Sequence, residues 1–263
     1  MNELSTYKIS ASIVFYKENL ADLSRAVTSF LACPFEKKLF LIDNSPTNAF
    51  EEFFNDPAVV YIFVGANIGF GAGHNLVLQQ VELASDFHLI LNPDVSFSPT
   101  LFKPLLNEFE LNSMLGLVAP RVTNSQGQLQ FTARRYPSLV ELIARSVPGL
   151  RTLLKKTIRK GQYADRNLNE SFNPDFLEGC FLLFKTSVFS QLNGFDKRYF
   201  LYMEDVDICR KLDALTLKKR YVPRVSITHQ HRQGSKKQVN LFFIHLQSVG
   251  KYFIKWGFSL KKR

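Results

Sequence analysis

The feature that most constrains this chain is the alternation, in its first half, of short β-rich runs with segments of helical period. "KISASIVFY" (8–16) has the composition of a buried strand, and Leu20, Leu23, Val27, Phe30 and Leu31 then recur at helical spacing. "KLFLID" (38–43) reads as a second strand closed by the turn-forming "NSP", and "VVYIFV" (59–64) as a third, followed by "GANIGFGAGHN". A helix through Leu76, Leu78 and Val81 leads to a fourth strand, "FHLILNPD" (87–94). Strands spaced by helices imply parallel crossovers and a layered α/β fold. Ligands of such sheets sit beyond the carboxyl ends of the strands. Here those ends carry Tyr16, Asp43-Asn44, the stretch from Asn67 to Asn75, and Asn92-Pro93-Asp94.

The second half is less regular. "LGLVAP" (115–120), "FLEGCFLLFK" (176–185) and "RYVPRVSI" read as strands, 203–215 as a helix and 237–257 as a closing helix. Residues 134–175, basic, polar and broken by Pro137, Pro148, Gly149 and Pro174, read as an insertion or mobile segment with some helix. A 46% hydrophobic content supports a real core, and 25 phenylalanines against one tryptophan make it thickly aromatic. The net charge of +10 favours anionic partners without choosing among nucleotides, phospholipid and diphosphate-linked substrates. Nucleic acid is disfavoured, because the basic residues gather in 134–160 and the C-terminal tail instead of interleaving with aromatics along a groove. Cys33, Cys180 and Cys209 lack metal-ligand spacing and read as buried free thiols of a reducing compartment. With no signal-like N-terminus and no run of about 18 apolar residues, the expectation is a cytoplasmic protein.

Four motifs bear on chemistry. "NIGFGAGHN" follows a strand and opens a helix, a geometry that aims backbone N–H groups at an anion. A dinucleotide fingerprint fits it poorly, since His74 stands where the third glycine belongs and the stretch follows the third strand instead of the first. Asp94, just past an apolar strand, is placed either to hold a divalent cation against a diphosphate or to serve a simple turn. In "FLYMEDVDICRK" (200–211), helical spacing puts Glu204, Asp207 and Lys211 on one face, which reads as solvated. Asp205 lines up with Ile208, Cys209 and Leu212 and is the acid aimed inward, either a general base or an acid complementing the helix dipole. "ITHQHRQGS" offers His229 and His231, which ligate a metal only if an acid such as Asp94 joins them.

In this order "SIVFY", "LIDNS", "NIGFGAGHN", "LILNPDV", "FLEGCFLLFK", "GFDKRYFLYMEDVDICRK" and "THQHRQGS" resemble the rhamnosyltransferase-like branch of the family 2 glycosyltransferases, over about residues 9 to 255. The resemblance implies a GT-A fold: a Rossmann-like mixed sheet flanked by helices, in one domain spanning 1–263. About 8–120 would form the nucleotide-sugar-binding half, about 121–235 the acceptor-binding and catalytic half, and 236–263 a basic amphipathic helix. Tyr16 and Asp43 would lie around the base and ribose. Asn67, Gly69 and Asn75 match the segment that closes over the nucleotide. Asp94 matches the last acid of the family's Asp-x-Asp metal motif, whose first position is Asn92 here. The resemblance further implies a bound Mg2+ or Mn2+, with His229 approaching the metal or diphosphate and His231 secondary.

Asp205 matches the catalytic base, with Glu204 and Gly179 shaping the acceptor pocket and His245 structural. Glu178 departs from the small residue usual at its position. The implied reaction is inverting transfer of a sugar, in this branch often L-rhamnose from dTDP-L-rhamnose, to a hydroxyl of a glycan or lipid-linked glycan. The alternatives are an inactive nucleotide-sugar or carbohydrate-binding protein and a transferase using another nucleotide sugar. Residues 236–263 carry seven Lys or Arg and no acid among many aromatics, which suits either an anionic membrane surface or packing on the domain.

Overall fold

A computed structural model describes residues 7–146, 148–230 and 239–257. In chain order it contains β1 (Lys8–Phe15), α1 (Leu20–Leu31), β2 (Glu36–Asp43), β3 (Val59–Phe63), α2 (Phe70–Asn75), α3 (Leu78–Ala84), β4 (Phe87–Leu91), β5 (Val95–Ser96), α4 (Phe102–Leu111) and β6 (Leu115–Thr123). There follow β7 (Leu129–Gln130), β8 (Ala133–Arg134), α5 (Leu139–Ser146), α6 (Pro148–Leu153), α7 (Lys155–Gly161), β9 (Phe176–Leu177), β10 (Phe181–Lys185), α8 (Thr186–Gln191), α9 (Glu204–Ala214), β11 (Lys218–His229) and α10 (Val239–Trp256).

The expected parallel unit is present: β3, β2, β1 and β4 lie side by side in parallel, with Ile13 level with both Leu41 and Leu91. These strands are covered on both faces, which is why they are almost continuously apolar. Ile9, Ala11, Ile13 and Phe15 pack with Leu23, Val27 and Phe30 of α1, while Val14, Phe40 and Ile42 pack with Val77 and Val81 on the other side. Asn19 starts α1 by accepting the N–H groups of Ala21 and Asp22.

The same sheet continues through β10, antiparallel to β4, then β6, β11 and β5, with β7 attached to β6. "FLEGCFLLFK" is therefore not one strand. It breaks at Glu178-Gly179-Cys180, so that β9 pairs with β8 in a separate small sheet while β10 joins the main one. Residues 134–175, read as an insertion or mobile segment with some helix, hold α5, α6 and α7. Arg134, 4% exposed, anchors α5 there through Glu141 at 2.6 Å.

The glycines of "NIGFGAGHN" are there for close packing. A Cβ on Gly69, whose φ is +93°, would come 2.3 Å from the carbonyl oxygen of Phe200; one on Gly71 would meet the Phe195 side chain, and one on Gly73 the Val14 side chain. His74, the residue that spoils the dinucleotide fingerprint, ends a buried chain of hydrogen bonds. Its Nδ1 meets Ser12 at 2.7 Å, Ser12 meets His88 Nε2 at 2.8 Å, and His88 Nδ1 meets Ser10 at 2.7 Å. Burial depresses both imidazoles, His88 to about 3, so the chain runs through neutral rings.

Candidate active site

The carboxyl ends of β4 and β11, the amino end of β10 and the start of α9 surround a cavity of about 1020 Å3. Asn92, Gln130 and His229 line one part of it, and Gly179, Glu204 and Asp205 another. Beyond Asp205 it extends to Glu178 and Arg134, which are 3.4 Å apart.

On the first side, His229 Nε2 lies 3.2 Å from Asp94 Oδ1 and 3.4 Å from the Asn92 amide nitrogen. Gln130 fixes which nitrogen faces Asp94. Its amide N–H donates to the His229 carbonyl at 2.9 Å, which leaves its oxygen to accept from His229 Nδ1–H at 3.0 Å. Nε2 then presents its lone pair toward the Asn92 N–H and the Asp94 carboxylate, where a cation bound to both imidazole and carboxylate would relieve their lone-pair contact. Donors bound about 2.1–2.2 Å from one ion at right angles sit about 3 Å apart, so the pair fits a divalent cation. Asp94 and His229 supply two donors, with Gln130 orienting the imidazole from behind, and among the described residues no third His, Cys, Asp or Glu joins them. Gln130 was not anticipated; its signal, a polar residue on a two-residue strand, exists only in three dimensions.

Asp205 is half-buried. Its Oδ2 accepts the Gly179 N–H at 3.1 Å and its Oδ1 the Val206 N–H at 2.8 Å. Gly179 thus steers the carboxylate through its backbone, and a Cβ there would sit 3.7 Å from Asp205 Cβ and 3.5 Å from the Phe70 ring. Burial and the Glu178 carboxylate raise the Asp205 pKa above the ordinary carboxylate range. Glu204 is 5% exposed, its Oε2 has no hydrogen-bond partner among the described residues, and burial and then the Asp205 charge raise its pKa as well. A carboxyl whose folded pKa is raised takes up a proton on folding between the unfolded and folded values, so it lowers stability as pH rises through that window. Glu204→Gln is therefore expected to raise the thermal midpoint by a few degrees at pH 7 and to leave it unchanged at pH 4, as read by calorimetry at both pH values.

The expected solvated face of α9 is wrong. Asp207 is 0% exposed and Glu204 nearly so, whereas Asp205 opens onto the cavity. The cause is α10, which lies over the face that helical spacing alone left to water. Lys255 Nζ meets the Asp207 carboxylate at 2.9 Å, Trp256 Nε1–H donates to it at 2.7 Å, and the Tyr199 hydroxyl at 3.2 Å. Directly before α9, Tyr202 and Met203 both have left-handed backbones, φ +70° and +71°. Such conformations cost roughly 1–3 kcal/mol each in a non-glycine residue and persist where surrounding contacts impose them.

The other expected donor-side residues are more dispersed. Tyr16 is exposed just past β1. Asp43, 1% exposed, is engaged by the Tyr61 hydroxyl and by the Ser45 N–H at 2.8 Å, so it orders the end of β2. Asn67 is exposed and accepts the Gly69 N–H at 3.1 Å. Asn75 is turned away from a ligand role: its amide exchanges two hydrogen bonds with the Phe195 backbone, at 2.8 and 2.9 Å. His245 packs edge-on to Tyr202 with ring centres 5.3 Å apart. His231 lies outside the described residues.

No protein-family model matches the chain. It is 30% identical over 197 residues to the N-acetylglucosaminyl-diphospho-decaprenol L-rhamnosyltransferase of Mycobacterium tuberculosis, a match covering 71% of this chain and 62% of that protein. It thus spans less than two thirds of that relative's length. It is 25% identical over 228 residues to the rhamnosyltransferase WbbL of Escherichia coli, covering 83% of this chain and 82% of WbbL. Among solved structures, GalNAc-T7 crystallised with UDP, GalNAc and Mn2+ superposes with a TM-score of 0.66 at 16% identity, over 86% of this chain and 43% of that one.

Proposed function

We propose that this chain, whose fold is that of the GT-A glycosyltransferases and whose sequence relatives are rhamnosyltransferases, is an inverting glycosyltransferase. In this reading it moves L-rhamnose from dTDP-L-rhamnose to a hydroxyl of a glycan or lipid-linked glycan. The observation that carries it is the Asp205 carboxylate, oriented by two backbone N–H groups in a cavity that also reaches Asn92 and His229.

The chemistry follows from these residues. An acceptor hydroxyl placed against Asp205 loses its proton to the carboxylate as its oxygen attacks the anomeric carbon of the donor. The new C–O bond forms as the bond to the diphosphate breaks, and single displacement inverts the configuration. The nucleoside diphosphate leaves as an anion and needs no proton, so one carboxylate suffices where a glycosidase needs two. Asp94 and His229 would hold a divalent cation, Mg2+ or Mn2+, which offsets charge on the diphosphate. Gly179 lets an acceptor approach Asp205 closely, and Glu204 faces the same space.

The reading is tested by incubating the protein with a panel of nucleotide sugars and Mn2+, together with octyl glycosides as acceptors, and assaying released nucleoside diphosphate and glycosylated product. Turnover is expected with dTDP-L-rhamnose. Thermal stabilisation by none of the nucleotide sugars would remove the donor site and the reading with it.

An anionic membrane surface is part of the same proposal, with the enzyme working at the inner face of the cytoplasmic membrane. Among the described residues no helix is long and apolar enough to cross a bilayer. However, α10 leaves Phe242, Phe243, Leu246 and Ile254 exposed, Ile254 by 83%, and basic residues lie at both ends of the 236–263 segment. Co-sedimentation with phosphatidylglycerol vesicles at low salt is expected, with loss on Phe243→Glu/Ile254→Glu; equal binding by both proteins would count against this surface.

A further inference from the structure

The transferase reading uses Asp205 and leaves unexplained why its neighbour Asp207 is buried against the C-terminal helix. The connection between α8 and α9, residues 192–203, lies between two other parts of the molecule. On one side it grips the glycine-rich loop: Phe70 N–H donates to the Phe200 carbonyl at 3.0 Å, and Asn75 pairs twice with the Phe195 backbone. On the other side it is held by α10. Ser248 donates to the Leu201 carbonyl at 2.8 Å, Lys251 to the Arg198 carbonyl at 2.6 Å, and Lys255 bridges Asp196 at 2.7 Å and Asp207 at 2.9 Å. The connection then passes through the two left-handed residues Tyr202 and Met203 straight into Glu204 and Asp205.

We propose that α10 is a latch and that Asp207, with Lys255 and Trp256, is a positioning residue: it sets Asp205 and the loop 67–75 in register. Asp207 touches no reacting atom in this scheme. It fixes the first turn of α9, while the contacts of Ser248 and Lys251 hold the strained approach to that turn. The glycines make this coupling stiff, because Gly69 and Gly71 let the loop pack directly on Phe200 and Phe195 with no side chain between. A ligand that settles against the loop 67–75 is therefore felt at Asp207 and at the indole bonded to it.

The chain's single tryptophan is Trp256, which makes the latch directly readable. Only the identity of the ligand rests on the transferase reading, so the test has two arms. In the first, hydrogen exchange is compared between the intact protein and Lys255→Met. Segments 67–75 and 194–206 are expected to exchange at least tenfold faster in the variant, with β1 and β4 unchanged. Should Lys255→Met fail to fold, Trp256→Phe, which removes one hydrogen bond and keeps a ring, replaces it, and Lys255→Arg should restore protection. Acceleration confined to α10 would overturn the proposal.

In the second arm dTDP with Mn2+ is titrated while Trp256 emission is followed. The expected result is an emission change that saturates with the thermal stabilisation. Stabilisation with constant emission would overturn the link to the loop, whereas absence of any nucleotide binding would count against the transferase reading and leave the exchange result to decide the latch. In an active preparation, Ser248→Ala should lower kcat about tenfold at unchanged donor KM; unchanged kcat would also overturn the proposal.

Discussion

Asp205→Asn is expected to reduce sugar transfer by at least about a hundredfold while leaving nucleotide-sugar binding within a factor of about two. A positioned general base contributes roughly 10²–10⁴ in rate, and the amide is nearly isosteric with the carboxylate but cannot take the acceptor's proton. Its oxygen can still accept the Gly179 N–H that now meets Oδ2, at the loss of the local Val206 N–H bond to Oδ1, so the Gly179 side of the cavity should hold its shape. Transfer is measured by product formation and binding by calorimetric titration. Substantial residual turnover would remove Asp205 from the base role. A pH series sharpens the test, since the base acts only when deprotonated. Activity must fall as pH drops through its raised pKa, and Glu178→Gln, by removing a neighbouring negative charge, should move that acid limb to lower pH.

The second large effect is expected at Asp94. Asp94→Ala removes the one carboxylate of the Asn92-Pro93-Asp94 turn and leaves His229 Nε2 facing the Asn92 amide 3.4 Å away. Mn2+-dependent affinity for dTDP should fall on the order of 100-fold or more, because loss of a supporting partner alone typically costs 10–100-fold in metal affinity. Gln130→Leu, which frees the imidazole to turn, should fall inside that smaller range. Both are read by titrating nucleotide with Mn2+ and again with EDTA. Equal affinity in the two conditions for the unaltered protein would dispose of the cation assignment at Asp94 and His229.

The parts of the fold written in local pattern were legible. Apolar runs of strand length, punctuated by "NSP" and the glycine-rich stretch, suffice for the β3-β2-β1-β4 unit, because strands covered on both faces have to be apolar almost throughout. The break at Glu178-Gly179-Cys180 is marked only by a glutamate and a glycine between two apolar runs, too little to tell a bulge within one strand from a switch between sheets. The arrangement of 134–175 was not legible either. Its prolines suggested irregularity, whereas its organisation depends on the buried Arg134–Glu141 pair, seven residues apart in sequence but joining a strand to a helix.

The acidic cluster "EDVD" shows most clearly where the division lies. Sequence by itself determined that three carboxylates open one helix and that Asp205 differs from its neighbours in facing, because 100° per residue is a local property of the chain. Which faces are wet is not local. The solvent expected around Asp207 is displaced by Lys255 and Trp256, some fifty residues later, and the inward direction of Asp205 leads into a cavity whose walls come from segments scattered between Phe70 and His245. Burial is decided by whatever else the chain brings to that face, so only the tertiary structure could separate the acid that opens onto the cavity from the acid buried against the C-terminal helix.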